Sequence, residues 1–252
     1  MKTLNDYFQE IQCINLDRRT DRWEECLDEF KKYNLKVERY SACEGKNVKL
    51  LPGLNAGQTG AVYSHKGVAE YAKSKSLDNI LILEDDVEFD ADINSKFFEL
   101  CDRIPDDWDM LLFGGNHSGN NPWSPGKLTE VSENIFRVTH SLALHCYALK
   151  STVYDKVISA LTKTGKTNDG LVADIQKDIN CYILRPHLAW QRPSYSDLVD
   201  KFTDRPFLYR DEELFEGRYF GSEMIKRGNE VRSKLNSHQK EIFDRQVREN
   251  NY

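Results

Sequence analysis

Residues 80–83 read Ile-Leu-Ile-Leu and are followed at once by Glu84, Asp85 and Asp86. A short run of large aliphatic side chains bounded by polar residues has the pattern of a strand buried on both faces, which belongs inside an α/β sheet. Three adjacent carboxylates repel one another, and a simple turn needs at most one of them. Solvated acids capping a following helix are the plain reading of such a run. Their position favours a functional one, because ligands in open α/β sheets bind outside the carboxyl ends of the strands.

The rest of the first half supports that architecture. "IQCINL" (11–16) predicts a strand, and Asp21 to Tyr33 a helix with Trp23, Leu27 and Phe30 on one face. "VERYSA" predicts a second strand. The segment "TGAVYSHKGVAEYAKSK" predicts a helix with Val62, Val68, Ala69 and Ala72 inward. "NILIL" and "DMLLFGG" supply two more strands, and the run from Gly114 to Gly126 a long loop. In the second half "FRVTH" and "LALHCYALK" read as a β-ribbon. Ser151 reads as the cap of a helix with Tyr154, Val157, Ile158 and Leu161 inward, and "CYILRP" returns to strand. This alternation predicts an α/β domain over residues 1–205, a mixed sheet flanked by helices. Residues 206–252 read as a charged C-terminal helical appendage, either a packing element or a homo-oligomer contact.

Composition narrows the function. The 252 residues are 39% hydrophobic and 30% charged, a globular balance, with a formal net charge of −6. Nucleic acid is therefore not the expected partner, and DNA as an acceptor is disfavoured. Six cysteines, at 13, 26, 43, 101, 146 and 181, form no C-x-x-C pair, which reads as reduced thiols in a cytoplasmic protein. No apolar run approaches the roughly 20 residues of a membrane span, and the N-terminus lacks a signal region.

On an extended strand Glu84 and Asp86 share a face about 6 to 7 Å apart, so both reach one small cation only if the chain turns there. Mg²⁺ or Mn²⁺ held by one or two carboxylates usually completes its shell with water and substrate phosphates. Neither a P-loop nor a G-x-G-x-x-G is present. A metal, rather than a glycine cradle, would then neutralise a diphosphate, which fits sugar-nucleotide chemistry.

"INLDRRTDRW", "RYSACEGK", "TGAVYSHKGV", "LILEDDVEF", "WDMLLFGG", "LHCYALK" and "RPHLAWQRPSYSDL" occur in this order over residues 11–198. The series resembles glycosyltransferase family 25, which includes bacterial lipooligosaccharide and collagen galactosyltransferases. The resemblance implies a GT-A type Rossmann-like fold, a UDP-sugar donor carrying galactose or glucose, a divalent cation, and inversion at the anomeric carbon. It makes Glu84, Asp85 and Asp86 the acidic metal motif, with Asp86 the first choice of ligand. Asn15, Leu16, Arg18 and Arg22 fall near the expected nucleotide. Arg22 has a salt bridge bracing the loop as its plainer role. Ser64 and His65 match the family's Ser-His pair, placed at the donor, where a core or capping role is the alternative for the histidine.

An inverting transfer needs one general base. Asp169 and Asp174 are the candidates, and Asp169 better matches the family's late Asp, with a helix cap as its plainer reading. His187 and Gln191 lie in "RPHLAWQ", and Ser196 and Asp197 match a late Ser-Asp pair; metal or acceptor contacts are implied there, with loop bracing as the alternative for the pair. Trp123 is placed to stack on an acceptor sugar, or else packs beneath its loop. The acceptor would be a hydroxyl of a glycan, a protein or another molecule. A metal-dependent phosphohydrolase and a catalytically inactive nucleotide-sugar-binding module are the competing readings; the first requires a second ligand cluster, and "PDDWD" precedes its strand.

Overall fold

The computed structural model describes residues 2–117, 125–198 and 201–203, and of residues 201 and 202 only the backbone. Trp123 and the expected appendage over 206–252 lie outside the described residues.

The chain begins as strand, helix, strand: β1 (Ile11–Asn15), α1 (Thr20–Lys32), β2 (Glu38–Ser41). Then come α2 (Ala56–Ser74), β3 (Asn79–Glu84), β4 (Val87–Phe89) and α3 (Ile93–Leu100). The middle contains β5 (Met110–Leu112), β6 (Asn116–His117), β7 (Leu128–Ser132), β8 (Ile135–Val138), β9 (Ser141–Leu142) and β10 (Cys146–Lys150). The last described elements are α4 (Tyr154–Ala160), α5 (Asn168–Gln176), β11 (Cys181–Leu184), β12 (Ala189–Gln191), β13 (Ser194–Ser196) and β14 (Lys201–Thr203).

Eight strands form one sheet in the order β2-β1-β3-β10-β5-β11-β8-β7. It is mixed: β1 runs parallel to β2 and β3, and β5 to β11, whereas β10 is antiparallel to both β3 and β5, and β8 to both β11 and β7. The mixed α/β fold expected from the sequence is found.

The strand period of two decides which helix covers which face. Leu81 and Leu83 join Cys26 and Phe30 of α1 and Phe97 of α3 in one core cluster. Ile80 and Ile82 point the other way and join Val62, Val68, Val157 and Val172 of α2, α4 and α5. All four aliphatic side chains are fully buried, each contributing about 1.5–3 kcal/mol. The predicted inward residues of α2 are also fully buried.

Three local expectations change. "FRVTH" and "LALHCYALK" do not pair as a ribbon, because β10 inserts between β3 and β5 while β8 pairs with β7 and β11. Leu27 is 47% exposed, and the buried face of α1 is carried by Cys26, Glu29 and Phe30. Glu29 is buried because it accepts the backbone N–H of Phe89 at 2.9 Å, a long-range partner that helical periodicity does not reveal. The cap of α4 is Val153, two residues beyond Ser151.

Candidate functional site

The chain turns directly after β3, so Glu84 ends the strand while Asp85 and Asp86 form the bend into β4. Strand alternation no longer separates the two aspartates, and one guanidinium reaches both. Arg22 Nη1 donates to Asp85 Oδ1 at 2.5 Å and Nη2 to Asp86 Oδ2 at 3.1 Å, with a further bond from Nη2 to Ser194 Oγ at 3.0 Å. Burial opposes the charge on Arg22, but Asp85 and Asp86 more than offset it and hold its pKa above the ordinary value. Burial pushes the Asp85 carboxyl up, against the pull of Arg22. The bend is also fixed through its backbone: Cys26 Sγ donates to Asp85 O at 3.2 Å and the Arg192 N–H to Asp86 O at 2.6 Å.

Asn15, 1% exposed at the end of β1, stands behind this bend. Its Nδ2 donates to Asp85 Oδ2 at 2.7 Å, and its Oδ1 accepts from Arg39 Nε at 2.8 Å. It acts on the cleft through Asp85.

Glu84 is held from the opposite side, 3.1 Å from His65 Nε2. Its second oxygen, Oε2, and Asp86 Oδ2 each lie 3.4 Å from Gln191 Nε2, so two carboxylates converge on one amide. Gln191 arrives there because β12 pairs antiparallel with β4.

These groups open into a cleft of about 320 Å³ between the carboxyl ends of β1 and β3 and the start of α2. Its far wall is the 43–47 loop, seated on α2 where two glycines allow it: a Cβ on Gly45 would lie 1.8 Å from Ala56 O, and one on Gly60 2.5 Å from Cys43 O. Ser64 fastens the same wall by accepting the Cys43 N–H at 2.8 Å. Asn55 caps α2 through a reciprocal bond with Gln58. On the open side Asp197 accepts from Arg18 Nη2 at 3.1 Å and from Arg19 Nη1, while Asn55 Nδ2 donates to Leu198 O at 3.1 Å.

Of the residues singled out from the sequence, Glu84, Asp85, Asp86, Leu16, Arg18, Arg22, Ser64, His65, Gln191, Ser196 and Asp197 all border the cleft. Asp169, His187 and Asp174 are not among its lining residues. Asp169, in the first turn of α5, accepts from Thr167 Oγ1 at 2.6 Å and Gly170 N at 2.9 Å; the cap itself is Thr167. Asp174 pairs with Lys166 at 2.7 Å, and His187 Nε2 lies 3.2 Å from His117 Nε2. Glu44 and Lys46 line the cleft without having been anticipated; the density of glycines at 45, 53, 57 and 60 was the available signal for that loop.

The acidic bend and its cleft thus lie at the carboxyl edge of the mixed α/β sheet, where ligands bind in open α/β folds. The profile of glycosyltransferase family 25 (LPS biosynthesis protein) matches residues 8–143, more than half of the chain, and the chain belongs to that family. Procollagen galactosyltransferase 2 of Mus musculus is 30% identical over 175 residues, which is 61% of this chain and 28% of the relative. Its Homo sapiens counterpart is 30% identical over 129 residues, covering 42% of this chain and 21% of the relative. The chain thus spans between a fifth and a third of the length of these relatives. The probable inactive glycosyltransferase 25 family member 3 of Bos taurus is 26% identical over 129 residues, 42% of this chain and 22% of the relative. Among solved structures, a glycosyltransferase involved in the glycosylation of the major capsid of PBCV-1 aligns over 61% of this chain and 65% of its own, at 9% identity and a TM-score of 0.36.

Proposed function

We propose that the cleft binds a UDP-hexose and that the chain transfers its galactose or glucose, with inversion, to a hydroxyl of a glycan, a protein or another acceptor. The observation that carries this reading is the convergence of Glu84 and Asp86 on one point of a cleft that also presents Leu16, Arg18 and Lys46. Leu16 offers an apolar contact for a base, and Arg18 and Lys46 offer charge to phosphates.

Five carboxylates (Glu44, Glu84, Asp85, Asp86, Asp197) border the cleft against three cationic side chains (Arg18, Arg22, Lys46). A nucleoside diphosphate entering that field needs extra positive charge, and hard carboxylate oxygens suit Mn²⁺ or Mg²⁺. Among the described residues no group of three His, Cys, Asp or Glu side chains could hold a metal ion. Asp86 and Glu84, which converge on the cleft, would hold such an ion with the help of the donor's phosphates. When bound, the ion would neutralise the departing diphosphate. Arg22 keeps the acidic bend in place, and Arg18 and Lys46 orient the donor. Asp169 is our candidate for the base that takes the acceptor proton.

The test is release of UDP from UDP-galactose and UDP-glucose, with Mn²⁺ or Mg²⁺ and no acceptor. One donor is expected to turn over slowly, and Asp86→Ala to lower that rate by about 100-fold or more. Absence of both turnover and calorimetric UDP binding would overturn the reading. Metal-dependent UDP binding without turnover of any donor, even with acceptors supplied, would favour an inactive nucleotide-sugar-binding module, a reading kept in view by the relative named inactive.

A further inference from the structure

Arg22 grips the two aspartates of the acidic bend, while Glu84 is held through a chain of two buried side chains. Glu84 Oε1 lies 3.1 Å from His65 Nε2, and His65 Nδ1 lies 2.9 Å from the Tyr147 hydroxyl. His65 is 1% exposed and Tyr147 fully buried, with their rings stacked at 5.8 Å. The three groups come from α2, β3 and β10, so the chain ties the helix to two neighbouring strands of the sheet.

Chemistry fixes the direction of these bonds. A carboxylate oxygen only accepts, and a neutral imidazole has one donor nitrogen and one acceptor. Burial, and then the charge of Glu84, push the Tyr147 hydroxyl well above its ordinary value, so it stays an O–H donor. Tyr147 O–H to Nδ1, and Nε2–H to Glu84 Oε1, satisfies every group. The other tautomer would turn an Nε2 lone pair toward the carboxylate, and a doubly protonated ring would deprive the buried O–H of its acceptor.

We propose that Tyr147 and His65 form a positioning relay that turns Glu84 Oε1 into the protein and presents Oε2 to the cleft beside Asp86 Oδ2, preset to share a divalent cation. The inference rests on the metal-assisted reading above and deepens it. It assigns His65 to the carboxylate, whereas the sequence placed it at the donor. Tyr147 becomes a member of the site although it is not among the residues lining the cleft. Outer-shell partners of this kind typically change metal affinity by about 10–100-fold when removed.

Two measurements on the full chain test it. The first is Mn²⁺ binding by electron paramagnetic resonance, with UDP present, for the unaltered protein and for His65→Leu, His65→Gln and Tyr147→Phe. His65→Leu is expected to weaken Mn²⁺ about 10–100-fold. His65→Gln, which keeps one donor and one acceptor, should recover most of that loss, and the near-isosteric Tyr147→Phe should fall between. Unfolding curves identify any variant that fails to fold. Folded His65→Leu and Tyr147→Phe proteins that bind Mn²⁺ as tightly as the unaltered protein would overturn the relay. The second measurement is long-range proton–nitrogen NMR of the imidazole without metal. It should show the proton on Nε2 of His65, and a proton on Nδ1 would overturn the proposal. If the unaltered protein binds no Mn²⁺ even with UDP, the metal-assisted reading fails, and the imidazole spectrum alone then upholds or overturns the relay that sets Glu84.

Discussion

The acidic bend and the buried histidine pair lie in different parts of the fold and solve the same physical problem in opposite ways. At the bend, the Arg22 guanidinium pairs with both Asp85 and Asp86. Where β6 meets the 185–189 segment, His117 is fully buried with its Nε2 3.2 Å from that of His187. Burial, then the neighbouring His187 and Arg185, drive the pKa of His117 down to about 2, so this region keeps its ring neutral. The difference teaches where chemistry can occur. A compensated charge cluster at a cleft can exchange one ionic partner for another, whereas a buried histidine held neutral ties stability to pH.

The comparison breaks most sharply if the second half of the chain supplies the base. Asp169→Asn is expected to lower donor turnover by roughly 10²- to 10⁴-fold with UDP affinity unchanged. A rate equal to that of the unaltered protein would remove Asp169 from the reaction and leave it as a brace for the first turn of α5. Next in size is Arg22→Ala. Its side chain is 11% exposed and those of its partners 10% and 16%, so its removal leaves two poorly solvated carboxylates and should cost about 3–5 kcal/mol in urea unfolding. A loss below about 1 kcal/mol would mean that the bend is solvated in solution.

The histidine pair gives a smaller, pH-dependent effect. The folded pKa of His117 is depressed from 6.5 to about 2, so its contribution is fully present above pH 6.5 and is lost as pH falls below that value. Between pH 7.5 and 5.0 stability should drop by about 2 kcal/mol, and His117→Gln should flatten that slope. An unchanged slope in the variant would show that other groups govern acid unfolding. The smallest effect is expected at the rim, where Arg18 is 44% exposed. Arg18→Ala should change stability by less than about 1 kcal/mol while raising the KM for the donor. An unaltered KM would place the phosphates elsewhere in the cleft.

Much of the first half was legible in the sequence because its information is local. The continuous apolar run Ile80–Leu83 and the helical spacing of Val62, Val68, Ala69 and Ala72 need no knowledge of distant partners, and both were found as read. The bracing role of Arg22 was among the readings the sequence left open, and the ion pairs realise it. What escaped depended on pairing across the chain. The antiparallel insertion of β10, the burial of Glu29 under Phe89, and the meeting of Tyr147 with His65 are set by contacts 35 to 82 residues apart in sequence. No window of hydrophobicity contains such information, and motif order showed only that "LHCYALK" belonged to the pattern.

One consequence of β10 concerns how the protein can be divided. The family-matched segment ends at residue 143, three residues before a strand that lies between β3 and β5 in the sheet. A fragment cut at that boundary would keep every residue of the acidic bend yet leave two apolar strands with bare hydrogen-bonding edges, a template for self-association. The heritable unit recognised by sequence and the unit that can be expressed on its own are therefore different objects, and grafting or trimming this domain has to respect the second.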